Sequence, residues 1–135
     1  MRFVLNHSNI NVLNLEKSLQ FYREALGLVE IRRKEAEDGS FKLVFLGDGI
    51  SDYFIELTWL RERDKPYDLG DNESHLAFVV DDFDAAHQLH DKMGCICFEN
   101  KKMGFISSMT PTITGWRLFR KRHTRDKEVD GEDYS

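Results

Sequence analysis

Apolar and polar residues alternate along several short stretches of the chain, most clearly in the stretch Tyr53 to Thr58. Its β-branched and aromatic residues predict a half-buried strand. One carboxylate, Glu56, interrupts the apolar pattern between Ile55 and Leu57. A carboxylate in a strand either faces solvent or, when buried, needs a paired charge or a bound metal. Both interpretations of Glu56 are open from this strand alone.

The first sixty residues predict the element order β-α-β-β-β. An extended stretch that begins at Phe3 comes first. The next apolar residues recur at helical spacing, between an N-cap residue and a terminating glycine. These helix positions are Asn14, Leu15, Leu19, Tyr22, Leu26 and Gly27. Three further strands are predicted at 28–34, 41–46 and 53–58.

Residues 61–72 are charged and contain a proline and a glycine, which predicts a linking loop. The element order then restarts with a strand at 75–80. A helix follows, with a capping residue and one apolar face. These positions are Asp82, Phe83, Ala86, Leu89 and Met93. Two other residues of this helix, His87 and His90, are expected at its surface, where a metal site is the less favoured interpretation.

The two stretches align with one constant offset, which places His7 over His75 and one helix over the other. Self-similarity of this kind indicates a repeated structural unit. The chain is therefore predicted to contain two modules, at 1–60 and 73–119, within a domain that spans residues 1–119.

Composition excludes several classes of protein. The 135 residues suffice for one domain with a core, and a net charge of −5 disfavours nucleic acid and anionic membranes as partners. Two cysteines, Cys95 and Cys97, are too close together for a disulfide, which favours a reduced, cytoplasmic compartment. The apolar start ends at Asn6, so no signal peptide is expected, and no stretch reaches transmembrane length.

The repeat gives Glu56 two candidate partners. His7 and His75 occupy equivalent places, each in the first strand of its module. Two imidazoles and a carboxylate suit zinc, nickel, iron or manganese, and a metal with open positions would polarise a carbonyl or activate water. The alternative is three unrelated polar residues.

Three stretches together resemble the glyoxalase I (lactoylglutathione lyase) family of the vicinal oxygen chelate superfamily. They are His7 to Leu28, Ile55 to Thr58 and Gly70 to Val80, and the resemblance extends over residues 2 to 104. It implies an α+β fold in which two βαβββ modules form a curved, mostly antiparallel, eight-stranded sheet.

The resemblance implies a divalent metal, nickel or zinc, held in the order His, Glu, His, Glu, and the first three ligands fall on His7, Glu56 and His75. It implies isomerisation of a hemithioacetal, formed from a 2-oxoaldehyde and a thiol, into a 2-hydroxyacyl thioester. The metal would hold the substrate oxygens, and a glutamate at the metal, here Glu56, would move a proton between two carbons. A homodimer is expected, because many members complete each site with modules of two subunits.

The chain departs from the family at the fourth ligand. A glutamate should close an Asp-Pro-x-x-Tyr-x-x-Glu pattern, but Arg117 stands there and no acid follows Gly104 before Asp126. Reading each codon one base earlier gives an aspartate at position 110, and a glutamate at 117 if Arg117 is encoded by AGA or AGG. The sequence from about position 105 is therefore predicted to be a frameshift product, with a divergent genuine C-terminus as the alternative. A cation in place of a ligand would weaken metal binding and impair the enzyme.

The residues expected to recognise the substrate also differ. The family anchors glutathione with an arginine four residues after the first histidine and often an asparagine four residues after the strand glutamate. Here these positions hold Asn11 and Leu60, so another thiol or another substrate is open. Lys101 and Lys102, in a predicted loop over the site, could contact an anionic group, and simple surface exposure is the alternative.

Residues 120–135 are charged and lack a core-forming pattern, which predicts a disordered tail without a nucleic-acid site. Two competing functions remain open. One is a non-catalytic module that binds small drugs without a metal. The other is an oxygen-dependent enzyme that uses two histidines and one carboxylate.

Overall fold

The computed structural model describes residues 1–109 and 115–120, which belong to two compact units. The first unit contains residues 1–74, and the second begins at His75. Both units show the predicted order of one strand, one helix and three strands, so the α+β class and the two βαβββ modules are confirmed. The predicted tail at 120–135 lies outside the described residues except for Arg120.

The strands form two four-stranded sheets, one in each module, where the resemblance implied a single sheet of eight. Among residues 1–109 and 115–120, each strand pairs with strands of its own module. In the first unit the elements are β1 His7–Val12, α1 Leu15–Leu26, β2 Val29–Glu35, β3 Phe41–Gly47 and β4 Phe54–Leu60. In the second they are β5 Leu76–Val80, α2 Phe83–Lys92, β6 Ile96–Asn100, β7 Phe105–Met109 and β8 Gly115–Arg120.

The two sheets have the same strand order, β1-β4-β3-β2 in the first unit and β5-β8-β7-β6 in the second. In both, the first strand of the module runs parallel to its last strand, whereas β2 with β3, β3 with β4 and β6 with β7 are antiparallel. The repeat seen in the sequence is therefore a repeat of topology and of register.

Helix α1 begins and ends as its sequence predicts. The side chain of Asn14 accepts a hydrogen bond from the backbone N–H of Lys17 at 3.0 Å. At the other end Gly27 has φ +66°, a left-handed conformation that few other residues tolerate. Its backbone N–H donates to the carbonyl of Arg23, and Leu28 donates to Tyr22, which closes the helix.

The core of the first unit lies between α1 and one face of the sheet. Ile10 and Val12 of β1 are buried, as are the residues that α1 and the central strands direct to the same side. These other core residues are Leu15, Leu19, Tyr22, Val44, Leu46, Ile55 and Leu57. Because side chains alternate along a strand, the odd-numbered residues of β1 face away from this core.

Strand β1 starts later than predicted. The apolar residues Phe3, Val4 and Leu5 are more than four-fifths exposed, and regular pairing begins at His7. The reason is the partner strand: β4 begins at Phe54, directly opposite His7, and the residues before Asn6 have no strand beside them in the first sheet.

The buried face of α2 also differs from the prediction. His90 was expected at the surface, but it is 1% exposed, whereas Leu89 is 42% exposed. Phe83, Ala86 and His90 follow one helical face as regularly as a set ending in Leu89 does, so apolar character alone indicated the wrong residue. The prediction for His87, which is partly exposed, is consistent with its side chain's position. Within the described residues no helix is long and apolar enough to span a membrane.

Candidate functional site

One face of the first sheet carries polar side chains of β1 and β4 next to each other. The parallel register sets Asn9 opposite Glu56 and Asn11 opposite Thr58. Residues two apart in a strand share a face, so His7 belongs to the same row as these two asparagines. The face opposite the core thus presents an imidazole, a carboxylate, amides and a hydroxyl within two neighbouring strands.

His7 and Glu56 approach each other closely on this face. The Nε2 atom of His7 is 3.8 Å from Oε2 of Glu56, and the glutamate side chain is only 14% exposed. Two atoms that bind one metal at about 2.1 Å lie about 3.0–3.4 Å apart when they are adjacent ligands. The observed separation is therefore close to that required of two ligands of one metal ion.

Both side chains are held by asparagines. Nδ1 of His7 is 2.7 Å from Oδ1 of Asn6, and Nδ2 of Asn9 donates to Oε1 of Glu56 at 2.8 Å. Asn9 also donates to the hydroxyl of Thr58, which in turn donates to Oε1 of Glu56 at 3.3 Å. The network occupies one oxygen of Glu56 and leaves the other directed toward His7.

An aromatic ring fixes the imidazole from another side. The rings of His7 and Phe45 meet edge to face with centroids 5.4 Å apart, and Phe45 is buried beside Glu56 in the β3–β4 register. The guanidinium of Arg32 lies 3.9 Å from the centroid of the Phe45 ring, so the face of the ring attracts its positive charge. Packing against a buried ring limits the orientations available to the imidazole.

The second sheet places Arg117 at the position that Glu56 has in the first. The repeat aligns Asn9 with Ala77, and Ala77 is opposite Arg117 in the parallel β5–β8 pair. The Arg117 guanidinium lies 4.9 Å from the centroid of the Phe105 ring. His75, the residue before β5, is exposed.

The structure thus brings together two of the three predicted ligands, His7 and Glu56. Within residues 1–109 and 115–120, no three His, Cys, Asp or Glu side chains converge on a common point as a metal would require. His75 belongs to the second unit, and its role as a ligand stays a prediction. The His7–Glu56 pair fits half of a zinc or nickel site, because it offers one nitrogen and one anionic oxygen. Arg117 does not fit, because a guanidinium has no lone pair to donate.

The predicted substrate-binding residues lie in both units. Asn11 lines a cavity of about 530 Å³ together with Lys17 and residues 66–70, a volume suited to a small ligand. Lys101 and Lys102 are exposed in the turn between β6 and β7, and Lys101 lines a second cavity of about 320 Å³. Their contact with a substrate stays a prediction.

The sequence alone did not identify Asn6 and Asn9 as part of this site. Alternation already placed Asn9 on the same face as His7, and that was the available signal. What was missing was the register of β1 with β4, which sets Asn9 opposite Glu56 although they are far apart in the sequence. The role of Asn6 depends on the rotamer of His7, which no sequence pattern specifies.

Comparison with known proteins shows the family of the chain. The family model of the Glyoxalase/Bleomycin resistance protein/Dioxygenase superfamily matches residues 4–116. The chain belongs to this superfamily, and the resemblance seen in its sequence is confirmed.

Within the superfamily, curated relatives of this chain include proteins named lactoylglutathione lyase or probable lactoylglutathione lyase. The protein of that name from Neisseria meningitidis serogroup A is 45% identical over 82 residues, which are 58% of this chain and 57% of the relative. A probable lactoylglutathione lyase of Synechocystis sp. is 40% identical over 98 residues, covering 70% of this chain and 74% of the relative. The chain therefore matches little more than half the length of the Neisseria protein.

Solved structures agree with the fold. Glyoxalase I of Leishmania major superposes with a TM-score of 0.77 at 24% identity, over 88% of this chain and 87% of that one. Glyoxalase I of Zea mays gives the same TM-score and identity, over 89% of this chain and 45% of its own. At this level of identity the likeness concerns the fold alone.

Proposed function

We propose that this protein is a lyase of the glyoxalase I type, which isomerises a 2-oxoaldehyde–thiol hemithioacetal to a 2-hydroxyacyl thioester. The observation that supports this most directly is the His7–Glu56 pair, with Nε2 and Oε2 3.8 Å apart on the polar face of the first sheet. The lactoylglutathione lyase of Neisseria meningitidis and the probable lactoylglutathione lyase of Synechocystis, as relatives at 45% and 40% identity, support the same assignment.

The proposed cofactor is a divalent metal, nickel or zinc. Nε2 of His7 and Oε2 of Glu56 would hold it, with His75 as the third ligand. When bound, such a metal acts as a Lewis acid on neighbouring carbonyl and hydroxyl oxygens.

The proposed general base is the carboxylate of Glu56. Isomerisation requires removal of the proton from the carbon that bears the sulfur and the hydroxyl, and its return to the adjacent carbonyl carbon. The hydroxyl proton moves to the former carbonyl oxygen, so that the first carbon becomes the thioester carbonyl and the second bears the hydroxyl. Oε2 is the oxygen that would accept the carbon-bound proton when it is not bound to the metal, since Oε1 is already engaged by Asn9 and Thr58. The low exposure of Glu56 keeps most bulk water away from that oxygen.

Substrate recognition in this proposal involves Asn11, Lys101 and Lys102. Asn11 provides a neutral amide beside the 530 Å³ cavity, whereas Lys101 and Lys102 provide exposed positive charge for an anionic group. A neutral anchor at position 11 is a weak partner for a carboxylate, so we propose that the thiol need not be glutathione.

The second half of the site is proposed to be impaired. Arg117 holds the place in the second sheet that Glu56 holds in the first, and a permanent cation there opposes a divalent metal. The chain is therefore proposed to bind metal more weakly than a form with a carboxylate at this position. A homodimer and a cytoplasmic location stay predictions.

Turnover of defined hemithioacetals tests the proposal. The full chain, loaded with Ni²⁺ or Zn²⁺, is mixed with methylglyoxal and either glutathione or a simpler thiol, and thioester formation is followed. We expect metal-dependent product that disappears in Glu56→Gln. No product with any thiol, combined with metal-free binding of a small drug, would support the binding module instead. Oxygen consumption with iron would support an oxygenase.

A further inference from the structure

We infer that Asn6 and Asn9 are positioning residues for the proposed metal ligands: Asn6 sets the tautomer of His7, and Asn9 reserves one oxygen of Glu56 for the metal. This inference rests on the proposed function, because orienting His7 and Glu56 toward a metal matters only if the two residues bind one. It concerns residues that touch the ligands and not the substrate.

Asn6 acts on the imidazole ring. Its side-chain oxygen is 2.7 Å from Nδ1 of His7, and an amide oxygen can only accept a hydrogen bond. Nδ1 therefore carries the proton and donates, which leaves the lone pair of Nε2 free. Metal-binding histidines typically have their second ring nitrogen held in this way. Nε2 is also the atom that faces Glu56.

Asn9 acts on the carboxylate. Its amide donates to Oε1 of Glu56 at 2.8 Å, and the hydroxyl of Thr58 donates to the same oxygen at 3.3 Å. Oε1 thus receives both donors, while Oε2 points toward Nε2 of His7. The β1–β4 register makes this possible, since it sets Asn9 directly opposite Glu56.

The space between Nε2 of His7 and Oε2 of Glu56 is suited to a cation. At 3.8 Å the two atoms are too far apart for a hydrogen bond with each other. With the His7 proton on Nδ1, both atoms present lone pairs to the same gap. Two electron-pair donors that face each other without a proton between them form a place for a cation.

The fold itself does not require these asparagines. The repeat aligns Asn6 with Ser74 and Asn9 with Ala77, and the second module forms the same strand pair without either amide. At the position where Asn9 faces a carboxylate, Ala77 faces Arg117. The two amides thus occur in the module that has the His–Glu pair, which supports a role in ligand orientation.

Metal titration of the full chain tests this role with matched variants. Ni²⁺ or Zn²⁺ is titrated into the metal-free wild type, Asn6→Leu and Asn9→Leu. Each leucine variant is expected to bind about 10- to 100-fold more weakly, the usual effect of losing such a partner. Asn6→Asp keeps an acceptor for Nδ1, and Asn9→Gln keeps an amide donor, so both should recover most of the affinity. Circular dichroism confirms that all variants are folded.

A second measurement needs no metal. Nitrogen-15 NMR of the metal-free protein in alkaline buffer reports which ring nitrogen of His7 has the proton. We expect it on Nδ1 in wild type and Asn9→Leu, and on Nε2 to a large extent in Asn6→Leu.

The outcomes separate this inference from the proposed function. Normal metal affinity in both leucine variants would overturn the inference and leave the lyase assignment intact. A wild type that keeps the Nδ1 tautomer but binds neither metal would overturn both. Loss of affinity in the leucine variants, with recovery in the conservative ones, would support the inference whatever substrate the enzyme uses.

Discussion

Replacing Glu56 by glutamine should separate its proposed role as a metal ligand from its role in the fold. The amide of glutamine has nearly the shape of the carboxylate and keeps one oxygen that can accept from Asn9 and Thr58. It removes the negative charge and the second oxygen acceptor that faces His7. We therefore expect a folded protein that has lost the metal.

The cost in stability follows from the two hydrogen bonds that change character. A bond to a charged acceptor contributes about 1.5–3 kcal/mol and a neutral one about 1 kcal/mol. The shorter, 2.8 Å hydrogen bond from Asn9 accounts for most of the stability lost when the acceptor becomes neutral. Part of this loss is offset, because burying a neutral amide at 14% exposure costs less hydration than burying a carboxylate. The free energy of unfolding should fall by about 1 kcal/mol, which lowers Tm by about 4 °C in a protein of this size.

Metal affinity should change far more. Loss of one of the few ligands is expected to weaken Ni²⁺ or Zn²⁺ binding at least about 100-fold, which corresponds to about 2.7 kcal/mol. Calorimetric titration measures the affinity, and thermal unfolding of the metal-free protein measures the stability. Glu62→Gln is the matched control, because Glu62 is 86% exposed and pairs with Arg61 outside the site. Unchanged affinity in Glu56→Gln would refute the proposed metal site. A stability loss above about 3 kcal/mol would show that Glu56 supports the fold through more than its hydrogen bonds to Asn9 and Thr58.

Three further variants or reagents test other parts of the molecule. Arg117→Glu should raise metal affinity about tenfold or more relative to Arg117→Gln. Either change should cost about 0.5–1 kcal/mol of stability, because the contact of the guanidinium with the Phe105 ring is lost. Equal metal affinities of the two variants would show that position 117 is not near the metal. Leu57→Ala should lower the free energy of unfolding in urea by about 2–5 kcal/mol because Leu57 is fully buried in β4, and a loss below 1 kcal/mol would contradict that burial. A thiol reagent should modify Cys97 before Cys95, because burial raises the pKa of the Cys95 thiol and its reactive thiolate forms only at higher pH. Mass spectrometry of the native protein near neutral pH gives the order of labelling. Labelling of Cys95 before Cys97 would contradict this prediction.

Local periodicity explains why most elements could be predicted from the sequence. Helix α1 has a capping asparagine, a regular apolar face and a glycine at its end, and each of these acts within a few residues of the chain. The predicted start of β1 was wrong because it depends on a residue far away in the sequence. Phe3 to Leu5 are apolar enough for a strand, but a strand also needs a partner, and β4 provides one only from Phe54 onward.

The candidate site shows the same limit at the level of single side chains. The closeness of His7 and Glu56 could be anticipated, because the repeat marks His7, the interrupted apolar pattern marks Glu56 and the family pattern marks both. The hydrogen bond from Asn9 to Glu56 could not be anticipated, because it depends on the register between two strands separated by most of a module. The burial of His90 was missed because helical spacing fixes a face only to within one residue when polar and apolar positions are mixed.

The register of the second sheet shows which residue the predicted frameshift would have changed at the place equivalent to Glu56. In the first module, Asn9 of β1 is opposite Glu56, the proposed ligand; in the second, the aligned pair is Ala77 and Arg117. A repeat that preserves topology and register is expected to place the same kind of ligand at both positions, and a codon read one base earlier would do so at 117. We therefore predict AGA or AGG at that codon.

Sequencing the coding DNA decides the matter. A CGN codon at Arg117 would give alanine in the other frame, and the hypothesis would then fail. If the codon is AGA or AGG, expression of the restored frame should give a protein with a carboxylate at position 117 and stronger Ni²⁺ or Zn²⁺ binding than the present chain. Because Arg117→Glu alters that position alone, comparison of the two proteins would separate the effect of one ligand from that of the whole C-terminal sequence.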